Sequence, residues 1–333
     1  MIVDPRPLEP AFVPGDVRHR EGEVDALTSS LDPLLDGRHA DPALLTGPSG
    51  TGKTCIARHV GDRLQRETDA TVQYVNCWDA YTRYKTLYRL LEGIGEAYDV
   101  HRQSTPRDSL LDRLRENLDT PYVAILDEVD QLEEKGVLYD LHRTRGLSVV
   151  LIANAEEALY APLEERVASR LKTAHHIRFD RYGVDELVAI LEDRVRWGLR
   201  EDAITNEQLR WVADAAAGDA RVAIGTLRAA AEAADREGAA RITDAMLREA
   251  APEAKSKIRQ QSLEKLTPHQ RVVYDLITER DGVRPDALYE AYREAVDEPR
   301  AERTLRNYLR KMRRYNLVTA EGEGKARRYS TVE

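Results

Sequence analysis

The stretch GPSGTGKT at residues 47–54 meets every fixed position of the phosphate-binding pattern G-x-x-x-x-G-K-[ST]. Gly47, Gly50 and Gly52 let the backbone curl until successive N–H groups point inward, which makes an anion nest. An apolar run at 43–45 precedes the loop and a helical pattern at 53–64 follows it. A strand therefore feeds the loop, and a helix N-terminus adds its positive dipole end. This predicts a nucleotide cradle of Gly47, Pro48, Ser49, Gly50, Thr51, Gly52, Lys53, Thr54 and Cys55. Lys53 would reach the β- and γ-phosphates, and the Thr54 hydroxyl would hold a magnesium ion. A Gly-rich turn matching by chance is the alternative, and the flanking elements argue against it.

The acidic partner is PYVAILDEVD at 121–130, a continuous apolar strand that ends in acids, where an open parallel sheet places its catalytic side chains. Asp127 would hold magnesium through water, and Glu128 would polarise the attacking water. The next buried strand, LSVVLIAN at 147–154, ends in Asn154, whose amide could orient that water; a strand-end Asn also serves as a plain turn residue. TVQYVNC at 71–77 reads as the strand that completes a βαβ unit. Residues 81–97 and 109–118 show helical periodicity on either side of DVHRQSTPRD at 99–108, an exposed basic tip. LEERVASRL at 163–171 sets Arg166 and Arg170 on one helical face, ahead of the strand run HHIRF; paired surface arginines are ordinarily solvated charge. From 183 to 250 the pattern is helical, rich in Ala and interrupted by GDAR at 218–221, which suits a helical lid or a plain bundle.

A chain of 333 residues makes two or three domains. With 33% charged and 42% hydrophobic residues, its apolar runs are too short to cross a bilayer. MIVDPRPLEP at the start has acids and prolines in place of a secretory signal, so a cytoplasmic location is expected. Cys55 and Cys77 stand in no metal-ligand spacing and read as buried free thiols. The net charge is −9, with 9 Lys and 41 Arg among the basic residues, a bias that salt adaptation or a GC-rich genome would each produce. Residues 298–330 nevertheless carry 10 basic and 4 acidic side chains, so this end offers the main surface to a polyanion. Residues 251–265 read as a connecting helix. Three helices at 267–278, 285–295 and 299–315 and a hairpin at 317–332 then make a winged helix. Its third helix presents Arg300, Arg303, Arg306, Arg310, Lys311, Arg313 and Arg314, and the hairpin presents Lys325, Arg327 and Arg328. These suit phosphates and grooves of DNA, although winged helices also dock proteins.

GPSGTGKT, LDEVD at 126–130, IAN at 152–154, VASRL and GDAR occur in the order found in AAA+ ATPases. VPGDVRHREGEVDAL, with His19, Arg20 and Glu21, resembles the leader of the archaeal origin-recognition and cell-division-control replication initiators, although Arg18 stands where that family usually has Pro. The resemblance covers nearly the whole chain. It implies an α/β P-loop AAA+ domain with a parallel sheet at 1–180, an all-α lid with connecting helix at 181–265, and a winged-helix DNA-binding domain at 266–333. It further implies ATP/ADP and Mg2+ as cofactors, with Asn154 as sensor 1, Arg170 as the arginine finger, and Arg166 as an alternative finger. Arg221 would be the sensor 2 arginine, and Tyr182 and Arg194 lid-proximal nucleotide contacts. The tip at 99–108, with Arg102 and Arg107, matches in position an insert that touches DNA in the family. The implied protein is a slow ATPase acting as a switch, nucleoid-associated, that binds double-stranded origin DNA and helps recruit or load the replicative minichromosome-maintenance helicase. Further initiator copies on DNA are implied partners. A Holliday-junction branch-migration motor and an ATP-gated winged-helix transcription regulator are the alternatives.

Overall fold

The computed structural model describes the chain apart from residues 37, 39, 99, 101–106, 161–162, 164–167, 170, 323 and 333 and the side chains at 107, 108, 158, 314 and 325. The chain divides into two compact units, Met1–Leu247 and Arg248–Glu333. In the first, β1 (Ala43–Thr46), β2 (Thr71–Asn76), β3 (Tyr122–Asp127), β4 (Leu147–Ala153) and β5 (His175–Arg178) form a wholly parallel sheet in the order β2-β3-β4-β1-β5. Every residue of β3 and β4 is buried, as a sheet covered on both faces requires.

The period of two sorts β3 between two cores. Tyr122, Ala124 and Leu126 pack with α3 (Arg83–Glu92), α4 (Arg107–Glu116) and α5 (Gly136–His142). Val123 and Ile125 pack with α1 (Glu21–Leu31) and α2 (Lys53–Glu67) on the opposite face. A short α6 (Glu156–Tyr160) follows β4. The lid helices are α7 (Val184–Gly198), α8 (Asn206–Ala215) and α9 (Ala220–Arg236). Their starts are chemically marked: Thr205 caps α8 through the Gln208 N–H, and Asp219 caps α9 through Arg221 and Val222.

Three element boundaries differ from expectation. The helix expected over 81–97 is confined to Arg83–Glu92, because Gly93 and a left-handed Gly95 open a series of turns. The strand expected over 121–130 stops at Asp127, because Glu128 is itself left-handed and leads into a 3-10 turn at Val129–Gln131. The connecting helix expected over 251–265 begins earlier: α10 runs unbroken over Asp244–Glu264 with Pro252 inside it. The tip at 99–108 lies almost wholly outside the described residues, as do Arg166 and Arg170.

The second unit holds α11 (Pro268–Arg280), α12 (Pro285–Ala295), α13 (Glu302–Arg314) and an antiparallel hairpin of β6 (Val318–Glu321) and β7 (Arg328–Thr331). Leu305, Leu309 and Met312 bury one face of α13, and Val283 bridges to Tyr329 of β7. Among the described residues no helix is long and apolar enough to cross a membrane.

Helix α2 must lie close to the sheet to bring its first turn to the strand ends, and Gly61 permits this. A Cβ there would sit 2.9 Å from Val72 Cγ1 and 3.0 Å from Ile125 Cδ1. Gly61→Ala gains about 1 kcal/mol of helix propensity, but overpacking a filled core costs roughly 1–3 kcal/mol. The expected outcome is a net loss of stability in denaturant unfolding; a stabilised variant would show that α2 has room to move.

Candidate nucleotide site

The phosphate loop, both strand-end acids and the lid border one pocket. Lys53 opens α2 and is buried, with its Nζ donating to the main-chain carbonyls of Gly47 (2.8 Å) and Pro48 (2.7 Å) and to Asn154 Oδ1 (3.4 Å). Burial outweighs the attraction of Asp127 and brings its pKa down to about 8. An anion entering the loop would restore what burial removes. Gly52, the residue before α2, places no side chain on the helix's first N–H groups. The loop is otherwise self-supporting: Thr51 Oγ1 donates to Pro48 O at 2.9 Å. Cys55 follows on the first turn and is half-buried against the pocket, where burial raises its thiol pKa, whereas Cys77 is fully buried.

Parallel strand ends bring the acids to this loop. Thr54 Oγ1 donates to Asp127 Oδ2 at 2.6 Å, and the Glu128 N–H donates to Asp127 Oδ1 at 2.8 Å. Glu128 holds a left-handed backbone with φ 54°. For a residue with a Cβ this is uncommon, and it recurs where a side chain must be aimed. Asn154 follows β4 and reaches Lys53, so all of these groups share one strand-end edge. Among the described residues no group of three or more His, Cys, Asp or Glu gathers as a metal site. The hydroxyl and carboxylate of Thr54 and Asp127 fit a magnesium ion that takes most of its ligands from phosphate and water.

The lid closes on the loop at Gly50. Its carbonyl accepts from the Ala220 N–H at 3.0 Å, and the Asp219 carboxylate occupies the space a Cβ would need. Gly50 also has φ 78°, so an L side chain is excluded twice. Arg221 pairs with Asp219 at 3.3 Å, while its Nε is buried without a hydrogen-bond acceptor among the described residues. That donor fits an anionic ligand. Tyr182 lines the pocket beneath Arg20, whose guanidinium lies 4.2 Å from its ring centroid and also binds Glu23 and Asp180 O. Arg20 of the leader triplet thus reaches the pocket-lining Tyr182. Arg194 also lines the pocket, but its guanidinium donates to Pro7 O at 2.8 Å and stacks on Phe12. Phe12, Val17, Ile190, Trp197 and Ile224 make the apolar side that suits a base.

Two residues escaped the sequence reading. Tyr74, an ordinary strand aromatic by its letter, donates to Asp127 Oδ2 at 2.9 Å. Lys135 reads as surface charge, yet it is buried with Nζ bonded to the carbonyls of Val129, Asp130 and Leu132, and burial brings it to about 8. It ties down the turn after Glu128. Strand register points to Tyr74, since Asn76 pairs with Asp127 two residues further on. No local signal marks Lys135.

In the second unit Arg300, Arg303, Arg306, Arg310, Arg313 and Arg328 are exposed and Arg327 is half-buried. Arg306 also meets Glu302 and the Tyr289 hydroxyl, and Arg328 donates to Gly282 O. Lys311 is a correction: it is buried and donates to Gln270 Oε1 at 3.0 Å, because the helix turns that position toward α11. Arg102 and the side chains of Arg107, Arg314 and Lys325 lie outside the described residues.

A parallel sheet carrying a phosphate loop and strand-end acids under a helical lid defines the AAA+ class of nucleotide-binding proteins. The AAA domain family model matches residues 36–159, and the Cdc6 AAA+ ATPase-type lid domain model matches residues 188–252. The chain is 50% identical to ORC1-type DNA replication protein 9 of Halobacterium salinarum, over 100% of its own length and 94% of that protein's. It resembles the Aeropyrum pernix ORC1 protein solved in complex with DNA, with TM-score 0.78 and 26% identity, covering 99% of this chain and 93% of that one. It also shares the fold of Aeropyrum pernix ORC2, solved as ADPNP-ADP complexes, with TM-score 0.71 and 24% identity over 99% and 94% of the chains. The chain belongs to the family of ORC1-type DNA replication proteins, AAA+ ATPases of the Cdc6 lid type.

The buried lysine makes stability depend on pH in a defined direction. Lys53 titrates at about 8 folded against 10.5 as an ordinary lysine. Between those values the unfolded chain binds more protons, so stability rises with pH across that window. Lys135 contributes in the same sense, which makes the difference between wild type and Lys53→Met the informative quantity. Unfolding measured from pH 7.5 to 10.5 should shift that difference toward wild type by on the order of 3 kcal/mol. A flat difference would mean that Lys53 is not buried charged.

Proposed function

We propose that this protein is a replication initiator that binds double-stranded origin DNA under the control of ATP and helps recruit or load the replicative helicase. The observation that carries the ATP reading is the convergence of Lys53, Thr54, Asp127, Glu128, Asn154 and Arg221 around one pocket. The 50% identity to a DNA replication protein supports an initiator over a junction motor or a transcription regulator. The relative solved with DNA supports duplex binding.

In this reading residues 47–55 cradle the phosphates, and Thr54 and Asp127 hold magnesium. Lys53 and Arg221 neutralise phosphate charge, and Tyr182, Arg194 and the aromatic leader enclose the base. Magnesium-bound ATP supplies a phosphoanhydride whose cleavage is the switch. Glu128 accepts a proton from water, and the Asn154 amide orients that water. Arg170, or Arg166 in its place, would serve a neighbouring copy as finger, so hydrolysis by an isolated chain is slow. The domains would be 1–180, 181–265 and 266–333. The last of these, with three helices and a hairpin, is read as a winged helix whose α13 and β6–β7 arginines meet DNA. The tip with Arg102 and Arg107 would add a second DNA contact. The minichromosome-maintenance helicase and further initiator copies are the protein partners, and the cytoplasmic nucleoid is the location.

Glu128→Gln keeps the shape of the side chain and removes its basicity. Nucleotide should still bind, while single-turnover hydrolysis falls by about 10²–10⁴-fold. Hydrolysis at the wild-type rate would sink the assignment.

The arginines test the DNA reading separately. Arg303→Ala and Arg310→Ala should each weaken duplex binding and reduce the slope of log affinity against log salt by about one. Filter binding over a salt series measures this. Unchanged slopes in both variants would reassign α13 to protein docking.

A further inference from the structure

Asp127 has a third hydrogen-bond donor that the phosphate-loop motifs do not supply. Its Oδ1 accepts from the Glu128 N–H, and its Oδ2 accepts from Thr54 Oγ1 at 2.6 Å. The Tyr74 hydroxyl donates to that same Oδ2 at 2.9 Å. Tyr74 comes from β2, the edge strand beside β3, and so brings its donor from a different element than Thr54 of α2. Its ring is fixed independently: it packs against the α1–α2 core and lies under the Arg58 guanidinium, 5.5 Å from the centroid.

We propose that Tyr74 is a positioning residue for magnesium, holding the Asp127 carboxylate in its rotamer so that Thr54 and Asp127 present a preformed site. The proposal rests on the nucleotide reading above. The physical ground is that a single donor fixes a carboxylate oxygen in distance but leaves the group free to rotate about its Cα–Cβ and Cβ–Cγ bonds. Donors from two different elements, α2 and β2, together with the adjacent main-chain N–H, remove both rotations. The phenol stays protonated, because burial and the Asp127 charge both raise its pKa. It therefore remains a donor throughout the physiological range. Tyr74 is not among the residues that line the nucleotide pocket, so its effect should pass through the metal site.

The test is binding of fluorescent ADP to the full chain at a series of magnesium concentrations, with an EDTA arm. Tyr74→Phe removes the hydroxyl and keeps the ring under Arg58. Its magnesium midpoint should rise by about 10-fold, while affinity in EDTA stays at the wild-type value, which also shows that the variant is folded. Asp127→Asn should raise the midpoint too, and the double variant should be no worse than Asp127→Asn alone, since the hydroxyl acts through that carboxylate. A Tyr74→Phe midpoint equal to wild type, even with a lower melting temperature, would leave Tyr74 as packing and overturn the proposal. An additive double variant would do the same. Wild-type protein that binds no nucleotide with or without magnesium would overturn the nucleotide reading, and this proposal with it.

Discussion

A lysine ammonium held out of water by two backbone carbonyls is the constraint on which the rest of the site depends. Burying Lys53 is unfavourable, as the fall of its pKa to about 8 records, and two things keep the cost tolerable. The carbonyls of Gly47 and Pro48 accept its protons, and Asp127 lies close enough to act on its charge. Both partners exist only because the loop leaves β1 and the acid ends β3, two strands separated in the sheet by β4 alone. Parallel strands with both faces covered leave polar groups nowhere to go except the strand ends. The geometry of the site is thus a consequence of how the sheet excludes charge elsewhere.

The phosphate loop, Asp127 and Asn154 were legible in the sequence because each follows a buried run, and a buried run that stops in a polar residue has little structural freedom. Glu128 was legible as a letter but not as a shape. Its left-handed backbone ends the strand at Asp127, short of the expected end at residue 130. Tyr74 was not legible, because a strand tyrosine beside a valine reads as packing and its partner lies on a different strand. Lys311 shows the opposite error: counted with its arginine neighbours as presented charge, it occupies an inward position of α13 and finds Gln270. Composition locates a basic helix, whereas only the helix phase separates its buried lysine from its exposed arginines.

Asp219 does three things at once: it caps α9 through the N–H groups of Arg221 and Val222, it pairs with the Arg221 side chain, and it fills the space above Gly50. The lid therefore meets the phosphate loop directly, with the Ala220 N–H bound to the Gly50 carbonyl. An anion in the loop would compete with Asp219 for Arg221, whose Nε lacks an acceptor among the described residues. Charge at the phosphates and the orientation of α9 would then be linked through a single carboxylate, since any shift of Arg221 toward the loop would leave Asp219 to the helix N-terminus alone. The cap survives that exchange because it uses Oδ1 while the side-chain pair uses Oδ2. Two oxygens of one side chain thus separate what must stay fixed, the start of the helix, from what must be free to change partner, the arginine.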